Sequence, residues 1–295
     1  MMLKLFIVIL VFLLGPALML ALLQLSKWRR KRRGQRPPFE NLLRRSPGHS
    51  LLGEVQHTSD DITAYFGMAG SYPLLLYSAY LSTFGFNWVG KGITISILTA
   101  GIAGTLFFML KGLKLASDRR NKRIGLAGEM AAGEELNRLM LDGFNVYNDF
   151  PAERFNIDHI LVGPSGVFAV ETKSRSKGSR ENRMDEAKVI YDGECLRFPT
   201  WVTTEPIDQA KAQASWLSKW LSSAVGDSVR VSPIVTIPGW YIERKAPDGI
   251  PVLNPKEVKA YVDAKKEVVL SESMIKRICH QLEQKCRDVD LWDWY

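Results

Sequence analysis

The sequence predicts an α/β fold, a mixed sheet flanked by helices, preceded by about three transmembrane α-helices. Long uncharged runs are confined to the first 113 of the 295 residues, and runs of this length indicate membrane spans. The rest of the chain alternates helix-like patterns with short β-rich runs. With 46% hydrophobic residues overall, the chain is long enough and apolar enough for one folded domain in addition to the membrane segments.

The uncharged runs predict three membrane spans. Residues 5–25 have the length of a bilayer span, so residues 1–25 are predicted as the first transmembrane helix. A secretory signal is the alternative, but no small-x-small cleavage site follows the run. Residues 62–113 are predicted as a transmembrane hairpin, in which Pro73 indicates a kink. Small residues around Gly104 indicate helix packing.

Basic residues set the expected orientation in the membrane. Residues 26–61 are predicted as a basic linker and residues 114–125 as a basic juxtamembrane segment, and each basic run follows an uncharged run. The positive-inside rule places both on the cytoplasmic side. We therefore expect an integral protein of a bacterial inner membrane, anchored in the lipid bilayer by its N-terminal helices, with a cytoplasmic catalytic domain. Because both runs abut predicted spans, topology explains them better than nucleic-acid binding does.

The net charge of +8 is unevenly distributed. Residues 1–125 carry 17 basic and 5 acidic residues, giving +12, whereas residues 126–240 carry 12 and 16, giving −4. The basic character therefore belongs to the N-terminal part and is no nucleic-acid signature for the α/β domain. The three cysteines lack a CxxC spacing, which fits a reducing compartment and offers neither a disulfide framework nor a zinc site.

The centre of the predicted domain is a β-hairpin over residues 156–173. Two β-rich runs flank a Gly-Pro-Ser-Gly turn at residues 163–166, which is a strong hairpin signal. Side chains of a strand alternate between its faces, so Glu171 and Lys173 project from the same side as Asp158. A symmetric chain reversal pairs Val162 with Val167, Ile160 with Ala169, Asp158 with Glu171, and Asn156 with Lys173.

The pair of acidic residues at the end of this hairpin indicates a metal-binding catalytic site. Acidic residues are depleted from strands, and directly opposed like charges are destabilising. A divalent cation would relieve the repulsion between Asp158 and Glu171, because Mg²⁺ is typically held by one or two carboxylates plus waters and substrate phosphate. Lys173 would then orient the attacking water or neutralise charge on a phosphate oxygen. The alternative is that the three are solvated strand residues.

The ordered set of motifs resembles the nuclease-related domain (NERD) family of the PD-(D/E)XK nuclease-like superfamily. The resemblance covers about residues 122–240, and it implies a PD-(D/E)XK nuclease-like domain at residues 126–240. Gly133-Glu134 offers an alternative to the first motif. The matching motifs, in the family's order, are Gly128-Glu129, Ile157-Asp158-His159, Gly163-Pro164-Ser165-Gly166 and Glu171-Thr172-Lys173.

The resemblance implies a metal-dependent nuclease. Asp158 and Glu171 would hold Mg²⁺ or Mn²⁺, and Lys173, Glu129 and Gln209 would complete the catalytic set. The expected partner is nucleic acid, DNA in preference to RNA. The alternative function is a catalytically silent module of nuclease fold that binds or regulates at the membrane.

The remaining segments have simpler interpretations. A loop after the hairpin is predicted to hold a nucleic-acid backbone, or else to be solvated. Residues 186–198 are predicted as a second hairpin, and a helix is expected from Pro206. Residues 241–295 are predicted as a C-terminal helical extension. The basic residues of the loop are Arg175, Lys177, Arg180 and Arg183.

Overall fold

The computed structural model describes isolated positions between residues 14 and 29, and residues 43–84, 90–177, 188–246, 249–265 and 269–287. It divides into two compact units. The first comprises Met1–Pro38 and Val55–Arg120, and the second comprises Phe39–Glu54 and Asn121–Tyr295. The described helices are α1 (His49–Phe84), α2 (Lys91–Asn137), α3 (Glu205–Val225), α4 (Val258–Ala264) and α5 (Glu272–Cys286).

In the first unit, the membrane prediction is met in part. Among the described residues, one helical segment, Gly92–Asp142, which consists of α2 and the short 3-10 helix after it, contains a stretch long and apolar enough to cross a membrane. The mean hydropathy of this stretch is 2.0. Only 6% of the stretch is buried, unlike the core helix of a soluble protein. Gly104 packs against the ring of Tyr72, which leaves no room for a larger side chain at that position.

The prediction of about three spans is therefore corrected to one candidate. Residues 1–25 lie largely outside the described part of the chain. The other half of the predicted hairpin lies in α1, where tyrosine, serine and glycine residues lower the mean hydropathy. The predicted linker is also wrong in part, because residues 49–61 are helical and the residues up to Glu54 belong to the second unit.

The second unit is built on a five-stranded mixed sheet in the order β1-β2-β3-β7-β9. β1, β2 and β3 form an antiparallel meander, and β7 and β9 extend it in parallel. The mixed sheet flanked by helices confirms the predicted α/β fold class. The strands of this sheet are β1 (Asn145–Pro151), β2 (Asn156–Gly163), β3 (Gly166–Thr172), β7 (Val231–Thr236) and β9 (Val252–Leu253).

A second sheet has four short strands in the order β6-β5-β4-β8. The second predicted hairpin is confirmed, since Tyr191 pairs with Leu196 across a turn containing Gly193 at φ 96°. The predicted helical extension is too simple, because β8 joins this sheet and β9 joins the first. The strands are β4 (Lys188–Tyr191), β5 (Leu196–Phe198), β6 (Trp201–Thr203) and β8 (Tyr241–Arg244).

Helices α3 and α5 cover one face of the large sheet. Apolar residues three or four positions apart along α3 predict a buried stripe, and all of its members are buried. Ala214, Leu217 and Leu221 pack with β1, β2, β3 and α5 in one hydrophobic cluster, whereas Ala210 packs in a second cluster with β4 and β5. Ile160 of β2 lies in the first cluster and is completely buried. The stripe consists of Ala210, Ala214, Leu217 and Leu221.

Truncation of this core should be costly. We expect Ile160→Ala to lower the free energy of unfolding by about 2–5 kcal/mol, because it leaves a cavity among rigid neighbours. Val202→Ala, at a side chain that is 54% exposed, should change it by less than about 0.5 kcal/mol. Urea denaturation of the full chain in detergent measures both. Equal losses in the two variants would contradict the assignment of the core.

Candidate functional site

The central hairpin has the register that the sequence predicted. Its pairs run from Gly163 with Gly166 to His159 with Val170, and every pair sums to 329. The ladder ends at the last of these pairs. At the next position, Asp158 Oδ2 accepts a hydrogen bond from the backbone N–H of Thr172 at 2.7 Å.

The strands separate beyond this point. Asn156, predicted to face Lys173, pairs instead with Pro151 of β1. The Lys173 backbone N–H donates to Thr236 O of β7 at 2.9 Å, so β3 ends against β7. Asp158 and Glu171 lie near each other where the β2–β3 ladder ends, and the charge of Asp158 helps to raise the pKa of Glu171. Neither the predicted Asp158–Glu171 pair nor the predicted Asn156–Lys173 pair is part of the ladder.

A third acid, Asp149, lies in the same row. In β1, Asn148 pairs with His159 and Phe150 with Ile157, so Asp149 occupies the position opposite Asp158. Its φ of 49° is in the left-handed region, which an aspartate tolerates better than most residues. The sequence analysis missed Asp149. The available signal was an acidic residue inside a strand, where such residues are depleted. The β1–β2 turn, residues 152–155, contains neither Gly nor Pro, so the sequence did not reveal the register that places Asp149 opposite Asp158.

Glu129 joins the row from helix α2. Its carboxyl group is close enough to Asp158 and Asp149 for each to raise its pKa. The approach depends on Gly128, because a Cβ atom there would overlap the side chain of Ser174, just beyond β3. Glu134, the alternative, is exposed, so the structure favours the Gly128-Glu129 alignment.

Lys173 and one glutamine of α3 complete the cluster. Lys173 Nζ lies 3.3 Å from Glu205 Oε1. Gln213 Nε2 donates to Glu171 Oε2 at 2.8 Å, and the glutamine is almost fully buried. Gln209, the residue proposed for this role, is partly exposed in an open surface depression with Glu205. The missed signal was a polar residue within the buried stripe of α3.

Burial and mutual repulsion raise the pKa values of the acids. Burial is the main cause for Asp158, whose pKa rises to about 7 despite the Thr172 hydrogen bond and the charge of Lys173. Burial and then Asp158 raise the pKa of Glu171 well above its usual range, against the Gln213 hydrogen bond. Burial and the neighbouring carboxylates raise the pKa of Glu129 to about 8. Acids with such shifts often mark functional sites.

His159 does not belong to the cluster. It is completely buried, and its Nδ1 lies 2.8 Å from Asn148 Oδ1. Burial lowers the pKa of this histidine to about 3, so it is neutral and helps to pair β1 with β2. Because successive side chains of a strand alternate between faces, the sequence predicts that His159 points to the opposite face from Asp158, and this packing agrees with that prediction.

Part of the predicted basic loop is ordered against the small sheet. The guanidinium of Arg175 lies 4.8 Å from the ring centroid of Trp201, and Trp240 Nε1 donates to Arg175 O at 3.3 Å. Lys177 Nζ lies 5.8 Å from the Trp240 ring centroid. Arg180 and Arg183 fall outside the described residues.

Comparison with known proteins identifies one related family. The model of the nuclease-related domain (NERD) matches residues 124–238, which include β1 to β7 and the end of α2. This match indicates a nuclease-like function for that part of the chain. No curated protein and no solved structure gave a significant match.

The close approach of α2 to the end of β3 can be tested by substitution. Gly128→Ala should reduce the free energy of unfolding by about 1–3 kcal/mol, because the added methyl overpacks against Ser174. A second substitution, Ser174→Gly, should recover most of this loss by removing the overlapping side chain. Chemical denaturation of the single and double variants measures the recovery. If Gly128→Ala and the double variant were equally stable, α2 would not approach the end of β3 as closely as described.

The raised pKa of Glu129 predicts a pH-dependent stability. Between its unfolded value of 4.5 and its folded value of about 8, the folded state holds a proton that the unfolded state has lost, so stability falls as the pH rises through this window. Glu129→Gln should be more stable than the wild type at pH 8, by on the order of 1 kcal/mol, and should match it near pH 4. Glu134→Gln is the matched control. If the free energies of unfolding of the wild type and Glu129→Gln changed with pH in the same way, the prediction would be contradicted.

Proposed function

We propose that the chain is a metal-dependent nuclease that hydrolyses phosphodiester bonds at the cytoplasmic side of a membrane. The strand register carries the proposal, because it brings Asp158 and Glu171 to neighbouring positions where the β2–β3 ladder ends. Lys173 lies close enough to lower the pKa of both acids. The NERD match over the same residues supports this function.

Asp158 and Glu171 are the residues that would hold a divalent cation. Asp158 Oδ2 accepts one hydrogen bond, from the Thr172 backbone, and Glu171 Oε2 accepts one, from the Gln213 side chain. Within the described residues, the second carboxylate oxygen of each accepts none. Carboxylates with an open oxygen suit Mg²⁺ or Mn²⁺, and Mg²⁺ usually takes one or two of them plus waters. A bound cation would act as a Lewis acid toward the phosphate.

The other residues of the cluster position these groups. Gln213 fixes one oxygen of Glu171, and in this proposal it takes the supporting role first assigned to Gln209. Lys173 orients the attacking water or stabilises charge that develops on a phosphate oxygen. Glu205 Oε1 lies 3.3 Å from the Lys173 ammonium and helps to hold it in place. Glu129 contributes a further carboxyl group to the cluster.

Nucleic acid, DNA in preference to RNA, is the proposed partner. Arg175 and Lys177 extend from the end of β3 onto the small sheet, next to the acidic row. In a domain with a net charge of −4 over residues 126–240, this is where a phosphate backbone meets local positive charge. Arg180 and Arg183 continue the same basic segment in the sequence.

The proposed membrane attachment rests on one helix among the described residues. The exposed apolar stretch within Gly92–Asp142 supports it, and the basic residues after that stretch favour a cytoplasmic second unit. A bacterial inner membrane fits this arrangement.

A module that binds without cutting is the second candidate. One observation favours it: within the residues that the structure describes, no group of three or more His, Cys, Asp or Glu side chains is arranged to hold a metal ion. Such a module would keep the basic surface and bind nucleic acid without hydrolysis. The experiment below separates the two candidates.

The full chain in detergent should cleave labelled DNA or RNA in the presence of Mg²⁺ or Mn²⁺. Asp158→Asn and Lys173→Met should each reduce the cleavage rate by about 10²-fold or more, because each removes a charge used in the transition state. Asp227→Asn and Lys259→Met, in surface ion pairs with Arg277 and Asp142, should cleave like the wild type.

Equal cleavage by all of these variants would remove the catalytic assignment and indicate a contaminating nuclease. Nucleic-acid binding that survives Asp158→Asn, with no cleavage by the wild type under either metal, would favour the binding module.

A further inference from the structure

Residues 43–50, which we call the N-terminal strap, are built into the same unit as the candidate site. Arg45 donates its backbone N–H to Cys286 O, at the end of α5, at 3.1 Å. The guanidinium of Arg44 lies 3.8 Å from Glu283 of the same helix. The strap precedes the residues matched to NERD, so the folded unit is larger than the matched region.

The strap holds Asp149 of β1. Arg45 Nη1 donates to Asp149 Oδ2 at 2.9 Å and to its backbone oxygen at 3.2 Å. The hydroxyl and the backbone N–H of Ser50 donate to the same Oδ2, at 2.6 and 3.1 Å. Asn156 Nδ2 lies 3.4 Å from Oδ1. The Asp149 side chain is only 4% exposed, so these donors replace water around it.

Asp149 connects the strap to the candidate site. Asp149 is opposite Asp158, and its charge acts on both Asp158 and Glu129. A buried carboxylate that loses its cation is strongly destabilising. Arg45 therefore compensates a charge within the acidic row, at a residue held in the left-handed region.

We propose that Arg45 and Ser50 are positioning residues of the candidate site. Through Asp149 they fix the β1 position opposite Asp158 and neutralise the third acid of the row. The catalytic meaning of this inference rests on the proposed nuclease function. The functional unit then includes residues 43–48, which come before α1 and α2 in the chain.

Arg44 provides the matched control. It lies in the same strap and is also an arginine paired with an acid, but its acidic partner is Glu283 on the half-exposed surface of α5. Its guanidinium also lies 5.8 Å from the ring centroid of Tyr147 in β1, which is not one of the acids of the site. If the strap served only to pack against α5, the two arginines would be comparable. If Arg45 acts through Asp149, only Arg45 should influence the site.

The experiment compares Arg45→Met, Arg44→Met, Asp149→Asn and the double variant Arg45→Met/Asp149→Asn in the full chain in detergent. Arg45→Met should lower Tm by more than about 5 °C, because it leaves a buried charge unpaired. It should reduce kcat by about tenfold or more with KM within about twofold, as expected for misplaced catalytic groups. Arg44→Met should leave both near wild type.

The double variant is decisive. Asp149→Asn removes the charge that Arg45 neutralises, so the added loss from Arg45→Met should largely vanish in that background, and Arg45→Lys should recover part of it. Additive losses, or equal effects of Arg44→Met and Arg45→Met, would overturn the proposal. If the wild type does not cleave, the proposed function fails. The Tm values alone then decide whether Arg45 acts through Asp149.

Discussion

The hydrogen bond from the Thr172 backbone N–H to Asp158 Oδ2 is the interaction on which the site depends. It lies at the position where a ladder bond between β2 and β3 would otherwise form, so a carboxylate substitutes for a backbone acceptor. Pairing of β2 with β3 ends there, and β3 continues against β7 alone. Asp158 and Glu171 lie at the point where the two strands separate, and Glu171 is only 3% exposed. Had the ladder continued, the two acids would have remained directly opposed strand residues.

The end of the β2–β3 ladder is surrounded by more acidic than basic side chains. Asp149, Asp158 and Glu171 come from three adjacent strands and Glu129 from α2, while Arg45 and Lys173 provide the positive charge. Such a cluster destabilises the fold, since burial and repulsion raise the pKa values of its acids. Proteins accept this cost at functional sites. Two of these acids have dedicated hydrogen-bond donors: Gln213 donates to Glu171, and Arg45 of the strap donates to Asp149.

Much of the hairpin could be predicted, because its four-residue turn leaves a single register in which both apolar runs pair. The pairs at Val162 and Ile160 followed from that symmetry. Glu129 was predicted through the resemblance, and the structure adds the reason, which is that Gly128 permits contact with Ser174. The predicted C-terminal extension does contain two helices, α4 and α5, but β8 and β9, of four and two residues, are too short to show a pattern in the sequence. The expected Asn156–Lys173 pair failed because the strands separate before it.

The sequence alone determined the features that depend on neighbouring residues. These are the hairpin and its register, the buried stripe of α3, and the grouping of Asp158, Glu171 and Lys173. Tertiary structure decided the features that join distant segments: Asp149 in the acidic row, Gln213 in place of Gln209, and the strap against β1 and α5. The physical reason is that periodicity and turn chemistry act over a few residues. Contacts between residues about 100 positions apart, such as Arg45 with Asp149, depend on how whole elements pack.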